Sequence, residues 1–292
     1  MMKFTTILTA TLIACSSTKK TVENNPKSNN ETIVVIADTI EKKVSSIKDT
    51  VVIAEIIEQK EETLTDPNKQ IESIPLKKEV VDHSVFNKLL QENVSENGNV
   101  NYKGFINNKS VFNTYLKTLE TNLPEDNWTH NDKLAYWMNV YNAFTIKLII
   151  DNYPTNSIKD IKDAWDARFF KLGKKWYNLN EVEHKILRKM GDARIHFGIN
   201  CASFSCPPIL NKAFTAANVD QELDFLAKRF INDTQRNKIS SDRIQLSKIF
   251  QWFGKDFKTQ GSLIDYLNKY SDIKINSNAK KSYLKYNWDL NE

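Results

Sequence analysis

The sequence predicts an α+β architecture: a single, mostly helical domain with a small mixed or antiparallel sheet, placed after a disordered tether. Three observations carry this reading. Phe4 apart, no aromatic residue precedes Phe86, whereas every Trp and Tyr follows it, so the material for one core is confined to residues 83–292. Within that region several segments place apolar residues at helical spacing between capping residues. Short runs that alternate apolar and polar residues supply the strands.

The chain begins with one early charge, Lys3, and an uncharged stretch from Phe4 to Ala14. That fits the short apolar core of a secretory signal and is too short to span a bilayer. It ends Leu12-Ile13-Ala14-Cys15, which resembles the lipobox of exported bacterial lipoproteins. Residues 1–14 are therefore expected to be a signal peptide. Cys15 would then carry lipid and anchor the chain to a membrane, outside the cytoplasm, on the periplasmic side of the outer membrane. Residues 15–82 read as the tether: they are rich in Lys, Glu, Thr, Ser and Asn and cannot bury enough apolar surface to offset ordering entropy. Val34–Glu41 nearly repeats at Val51–Glu58, a short internal duplication. Two copies fall short of the three or so repeats a solenoid needs. From residue 16 to 82 there are 10 basic and 13 acidic residues, and from 83 to 292 there are 30 and 23, so the basic character belongs to the domain.

Asn131 or Asp132 can cap a helix reaching about Ile150, with Leu134, Trp137, Met138, Tyr141, Thr145 and Leu148 on one stripe and Pro154 beyond its end. Asn139 and Asn142 interrupt it, and such poor helix formers require a tertiary explanation. A second helix is expected from Asn180, with Glu183 in capping-box position, to Gly191. Arg194–Ile199 alternates and reads as a strand delivering Asn200 and Cys201 to the turn Ala202–Pro208. Thr215 can cap a third helix with stripe Val219, Leu223, Leu226, Phe230 and Ile231. Ile239–Leu246 reads as a hairpin around Ser241-Asp242, followed by a helix holding Phe250, Trp252, Phe253 and Phe257. Tyr283–Asp289 alternates again, as an edge strand would.

With Cys15 lipidated, Cys201 and Cys206 remain, and an oxidising compartment invites a disulfide between them. Alternatively Cys201 is a nucleophile, which needs a base or positive charge to lower its pKa. His83 and His130 lie in polar surroundings and read as solvated. His196 would stand about 16 Å from Cys201 along a straight strand. His184 on the preceding helix is the better base, with Asn200, Asn142 or Glu183 orienting it. A stable disulfide and a nucleophilic Cys201 exclude each other. Cys-x4-Cys with His196 does not match structural zinc spacing, so no metal is expected. There is no Gly-x-Ser-x-Gly, no Gly-rich phosphate loop and no His-Glu-x-x-His, and with 7 Gly a nucleotide cradle is not expected either. No cofactor and no nucleic-acid partner are expected.

Trp137-Met138-Asn139-Val140-Tyr141-Asn142-Ala143, Glu183-His184-x-Ile186-Leu187-Arg188, His196-Phe197-Gly198-Ile199-Asn200-Cys201-Ala202-Ser203-x-Ser205-Cys206-Pro207 and Tyr286-Asn287-Trp288 together resemble the domain of unknown function 547 family. The likeness runs from about Phe86 to Asn291, with Gly198 where that family leads one to expect Ala. It implies a shared fold, no particular reaction, and a site built from Asn139, Asn142, Glu183, His184, Arg188, His196, Asn200 and Cys201. The reading that unites these is a papain- or transglutaminase-like thiol hydrolase acting on an envelope peptide or polymer. Cys201, His184, Asn200, Glu183 and His196 would be its catalytic groups, with Asn139, Asn142 and Arg188 binding. The alternative is a non-catalytic envelope binding or scaffolding module with a disulfide-pinned loop.

Overall fold

The computed structural model describes residues 80–292. The expected signal peptide, Cys15, the internal duplication and nearly all of the tether lie outside the described residues.

Val81 is already in the core, and Asp82 Oδ1 accepts from Ser84 N at 2.8 Å to start α1 (Ser84–Asn93). α2 (Tyr102–Asn107) and α3 (Lys109–Thr121) follow; both pack on α4 (His130–Asp151), and α1 packs on α2 and α3. Thr129, rather than Asn131 or Asp132, caps α4: its hydroxyl accepts from Asp132 N while the Asp132 carboxylate takes Thr129 N at 2.9 Å. Of the 22 residues of α4, 16 are buried, so the expected stripe is only part of a helix enclosed on all sides. Phe170–Leu172 (β1) and Lys175–Tyr177 (β2) form a small antiparallel hairpin.

The next helix is capped two residues before the expected Asn180. Asn178 and Asn180 each stand three residues ahead of a Glu, and it is Asn178 that accepts from Glu181 N, at 2.7 Å. α5 (Leu179–Glu181) then widens into a π turn, Val182–Ile186, and tightens into a 3₁₀ turn, Leu187–Met190, that ends on left-handed Gly191. Glu183, relieved of capping, turns inward and is buried. The expected strand at Arg194–Ile199 is instead one turn of helix, α6 (Ile195–Gly198). Its alternation misled because Ile195, His196, Phe197 and Gly198 are all buried, so neither face is a solvent face. A helical turn rises about 1.5 Å per residue where a strand rises about 3.3 Å, so the expected wide separation of His196 and Cys201 does not apply.

α7 (Val219–Ile231) buries its expected stripe. Thr215 and Asn218 bond each other's backbone N–H one turn earlier. β3 (Lys238–Ile239) and β4 (Arg243–Leu246) make the expected hairpin, and β5 (Lys280–Tyr283) adds parallel to β4, giving a mixed three-stranded sheet. The tail strand thus lies three residues before its expected start, and Tyr283 alone is common to both. The helix expected after the hairpin is α8 (Ile249–Trp252) followed by a separate 3₁₀ turn, Asp256–Lys258, and α9 (Leu263–Asn268) comes next. His130 is exposed, but His83 is not solvated as expected: it is buried with Nδ1 2.8 Å from Tyr115 Oη. Among the described residues no helix is long and apolar enough to cross a membrane.

Candidate functional site

The two interior asparagines of α4 find their explanation where α4 passes under α6. Asn142 Nδ2 donates to Gly198 O at 2.9 Å and its Oδ1 accepts from Asn200 N at 2.9 Å. Asn139 clasps the Phe214 peptide in the same two-handed way, at 2.7 and 3.0 Å. Both amides bond backbone that would otherwise be buried without partners. They are expected binding residues that turn out to be structural staples. Asn200 is spent likewise: Nδ2 donates to Pro207 O, and Oδ1 accepts from Ala202 N and Asn291 Nδ2. It orients no histidine.

The loop these staples hold is pinned from three more directions. Ala202 sits at φ +55°, an αL conformation that such a network must enforce. Phe204 N and Ser205 N donate to Asp289 O and Asn287 O, and Arg236 donates to Phe204 O and Cys206 O. Gly98, at φ +80°, backs against Pro208 so closely that a Cβ would stand 2.8 Å from its Cα.

Cys201 and Cys206 are free thiols with sulfurs 2.9 Å apart. Cys206 Sγ accepts from Cys201 N at 3.0 Å. Cys201 Sγ also meets Ser203 Oγ at 3.3 Å and Tyr286 Oη at 3.4 Å. Hydrogen bonds from Cys206, and then from Ser203 and Tyr286, lower the Cys201 pKa despite its desolvation, whereas burial pushes Cys206 well above the ordinary thiol value. The pair is therefore asymmetric, with Cys201 the thiolate former.

Cys201 lines a cleft of about 240 Å³ that Glu183, His184, His196, Trp252 and Trp288 also line. Glu183 Oε2 accepts from Tyr141 Oη at 3.1 Å, and Oε1 has no hydrogen-bond partner among the described residues. Burial, reinforced by the nearby Cys201 charge, pushes its carboxyl up to about 7. Asp256 organises the far side. It receives Arg188 Nε at 2.6 Å and Nη2 at 2.9 Å, a bidentate pair, and His196 Nε2 at 2.9 Å. Burial works to raise the Asp256 pKa, but the hydrogen bonds from Arg188 and His196 outweigh it and hold the carboxyl well below the usual range. Arg188 Nη1 donates to His184 Nδ1 at 2.9 Å.

These bonds reassign the histidines. Burial lowers both pKa values, with the Arg188 charge adding to the effect, so both rings are neutral at pH 7. A guanidinium only donates, so Nδ1 of His184 is an acceptor already in use and its proton sits on Nε2. His184 makes no hydrogen bond to Cys201, and the expected Cys201–His184 pair is not formed. His196 donates Nε2–H to Asp256 and stacks on Phe253 with centroids 4.0 Å apart, leaving Nδ1 buried without a partner. Arg188, expected to bind, is closed on Asp256 and His184.

Of the expected residues, Cys201, Glu183, His184 and His196 share the cleft. Tyr286 and Tyr141 line it with them, and Ser203 and Asp256 bond to its lining residues from behind, none of the four having been singled out for it. Asp256 lies 68 residues from Arg188 with no local spacing to mark it. Tyr286 and Tyr141 stand inside the motifs of the family resemblance, a signal that could have found them. Among the described residues no group of three or more His, Cys, Asp or Glu could hold a metal ion.

No curated protein and no solved structure matches the chain. Residues 125–231 match the family model described as "Protein of unknown function, DUF547". That stretch runs from just before α4 to the end of α7, so the chain is similar to this family through Cys201, Glu183 and both histidines, while Asp256, Tyr286 and Trp288 lie beyond the match.

Proposed function

We propose that the domain is a thiol-dependent hydrolase or acyltransferase in which Cys201 is the nucleophile and Glu183, not His184, carries the proton. The observation behind this is a free thiol with three hydrogen-bonding neighbours in a cleft that also holds a buried carboxyl raised to about 7. A group titrating near neutral pH is suited to both giving and taking a proton. The Cys201 thiolate attacks an acyl carbon, and the leaving amine or alkoxide departs with the Glu183 proton. Water, deprotonated by the Glu183 carboxylate, then hydrolyses the thioester and restores the thiolate. His184, whose Nε2–H is fixed in that tautomer by Arg188 and which lines the same cleft as Cys201, is assigned the role of donor to the developing oxyanion.

The reduced protein is expected to release nitrophenol from p-nitrophenyl acetate with transient acetylation of Cys201, read by intact mass and peptide mapping. Turnover that survives Cys201→Ser would refute the proposal.

We infer further that the chain is exported and held in the envelope by lipid on Cys15, with a peptide or polymer of that compartment as substrate. The uncharged run from Phe4 to Ala14 ending at Cys15 supports this. The mass of the mature N-terminal peptide from a membrane extract tests it: a diacylglyceryl-modified Cys15 is expected, and an unmodified peptide beginning elsewhere would overturn it.

A further inference from the structure

Cys206 has no part in acyl transfer that requires sulfur, yet it sits 2.9 Å from the nucleophile, so that an S–S bond of roughly 2.05 Å needs an approach of under about 1 Å. The backbone around it is held from both ends. Arg236 grips Cys206 O at 3.1 Å, Cys206 N donates to Ser203 O, and Asn200 Nδ2 donates to Pro207 O. The two sulfurs differ in access, since Cys201 is partly exposed on the cleft while Cys206 is 5% exposed. Cys201 N–H points at Cys206 Sγ, a donor that also favours charge on that sulfur when it becomes the attacking group.

We propose that Cys201 and Cys206 form a reversible dithiol–disulfide couple that exchanges with thiols and disulfides entering the cleft, with Cys201 the exchanging sulfur and Cys206 the resolving one. In the oxidising direction the Cys201 thiolate attacks one sulfur of an incoming disulfide, forming a mixed disulfide and expelling the other half as a thiolate. Cys206 then gives its proton to the thiolate already expelled and attacks Cys201 Sγ, expelling the second thiolate and closing the internal disulfide. Two electrons pass from the pair to the incoming disulfide. The reverse runs with an incoming dithiol, whose first thiolate attacks Cys201 Sγ. The donors gathered on Cys201 stabilise the reduced form, which makes the closed disulfide the oxidising, easily opened kind. The couple rests on the same reactive Cys201 as the hydrolase reading, and closing it would withdraw the nucleophile.

Glutathione disulfide added to the reduced full domain tests this by intact mass under non-reducing conditions. The unaltered protein is expected to lose two hydrogens without retaining glutathione, and acid-quenched early samples are expected to map the passing adduct to Cys201. Cys206→Ser is expected to hold a glutathione adduct at Cys201 stably. A lasting adduct on the unaltered protein, or a first adduct on Cys206, would overturn the couple. If Cys201 takes acetyl from the ester but no internal disulfide forms, the couple alone falls. If the disulfide forms but Cys201 is never acetylated, the hydrolase reading alone falls.

Discussion

On one side of the cleft Cys201 is surrounded by neutral groups, the Cys206 thiol and the hydroxyls of Ser203 and Tyr286, on a loop whose backbone is stapled at every turn. On the other side Arg188, Asp256, His184 and His196 are charged or polar groups closed upon one another. The histidines look like bases in the sequence, but their useful nitrogens are taken or buried. Glu183, which looked like a capping or orienting residue, lies between the two sides with one carboxyl oxygen unpartnered among the described residues. Reactivity in such a site follows from which polar groups are left open, and residue type alone does not reveal that.

The comparison breaks most visibly at Asp256. Asp256→Ala leaves a guanidinium and an imidazole without their acceptor in a partly buried place, and a loss of roughly 2–3 kcal/mol is expected in urea denaturation. The same group gives an acid dependence. Its folded pKa lies below the unfolded one of about 3.9, so its stabilisation is present above that value and drains away as pH falls below it, a slope that Asp256→Ala should lack.

Glu183 works with the opposite sign. Its folded pKa of about 7 exceeds the unfolded value, so the folded state holds the extra proton between about pH 4.5 and 7, and stability falls as pH rises through that window. Glu183→Gln should remove the slope and be more stable than the parent at pH 8 by roughly 1–3 kcal/mol. Equal stability of the two proteins at pH 8 would show that the carboxyl is not buried as described.

The smallest effect concerns the junction beneath the loop. A Cβ on Gly198 would stand 2.2 Å from Met138 Cε and 3.0 Å from Leu223 Cδ2. Gly198→Ala adds helix propensity but crowds these side chains, and the methionine tip can move aside. A loss of about 1 kcal/mol is expected by thermal or urea unfolding, and a loss above about 3 kcal/mol would mean that α6 cannot yield against α4.

Much of the frame was legible in the sequence because it is written in local spacing. α4, α7 and the β3–β4 hairpin follow from periodicity and caps, and Asn139 and Asn142 announced their tertiary role by being poor helix formers in a helix. α6 was misread because a segment buried on every side carries no amphipathic period to count. The gathering of Cys201, Glu183, His184 and His196 was legible from three nearby motifs, but their roles were not. Those depend on Asp256 and Tyr286, brought in across 68 and 85 residues by packing.

The pH dependence of Cys201 labelling by iodoacetamide, followed by peptide mapping in the reduced protein, tests the division of roles most directly. The rate should rise with a midpoint below the ordinary thiol value of about 8.5. Glu183→Gln should move that midpoint lower still by removing a neighbouring negative charge, and His184→Gln should leave it nearly in place. A midpoint at the ordinary value, or one that moves with His184 and ignores Glu183, would contradict the assignment of Glu183 as the proton carrier of Cys201.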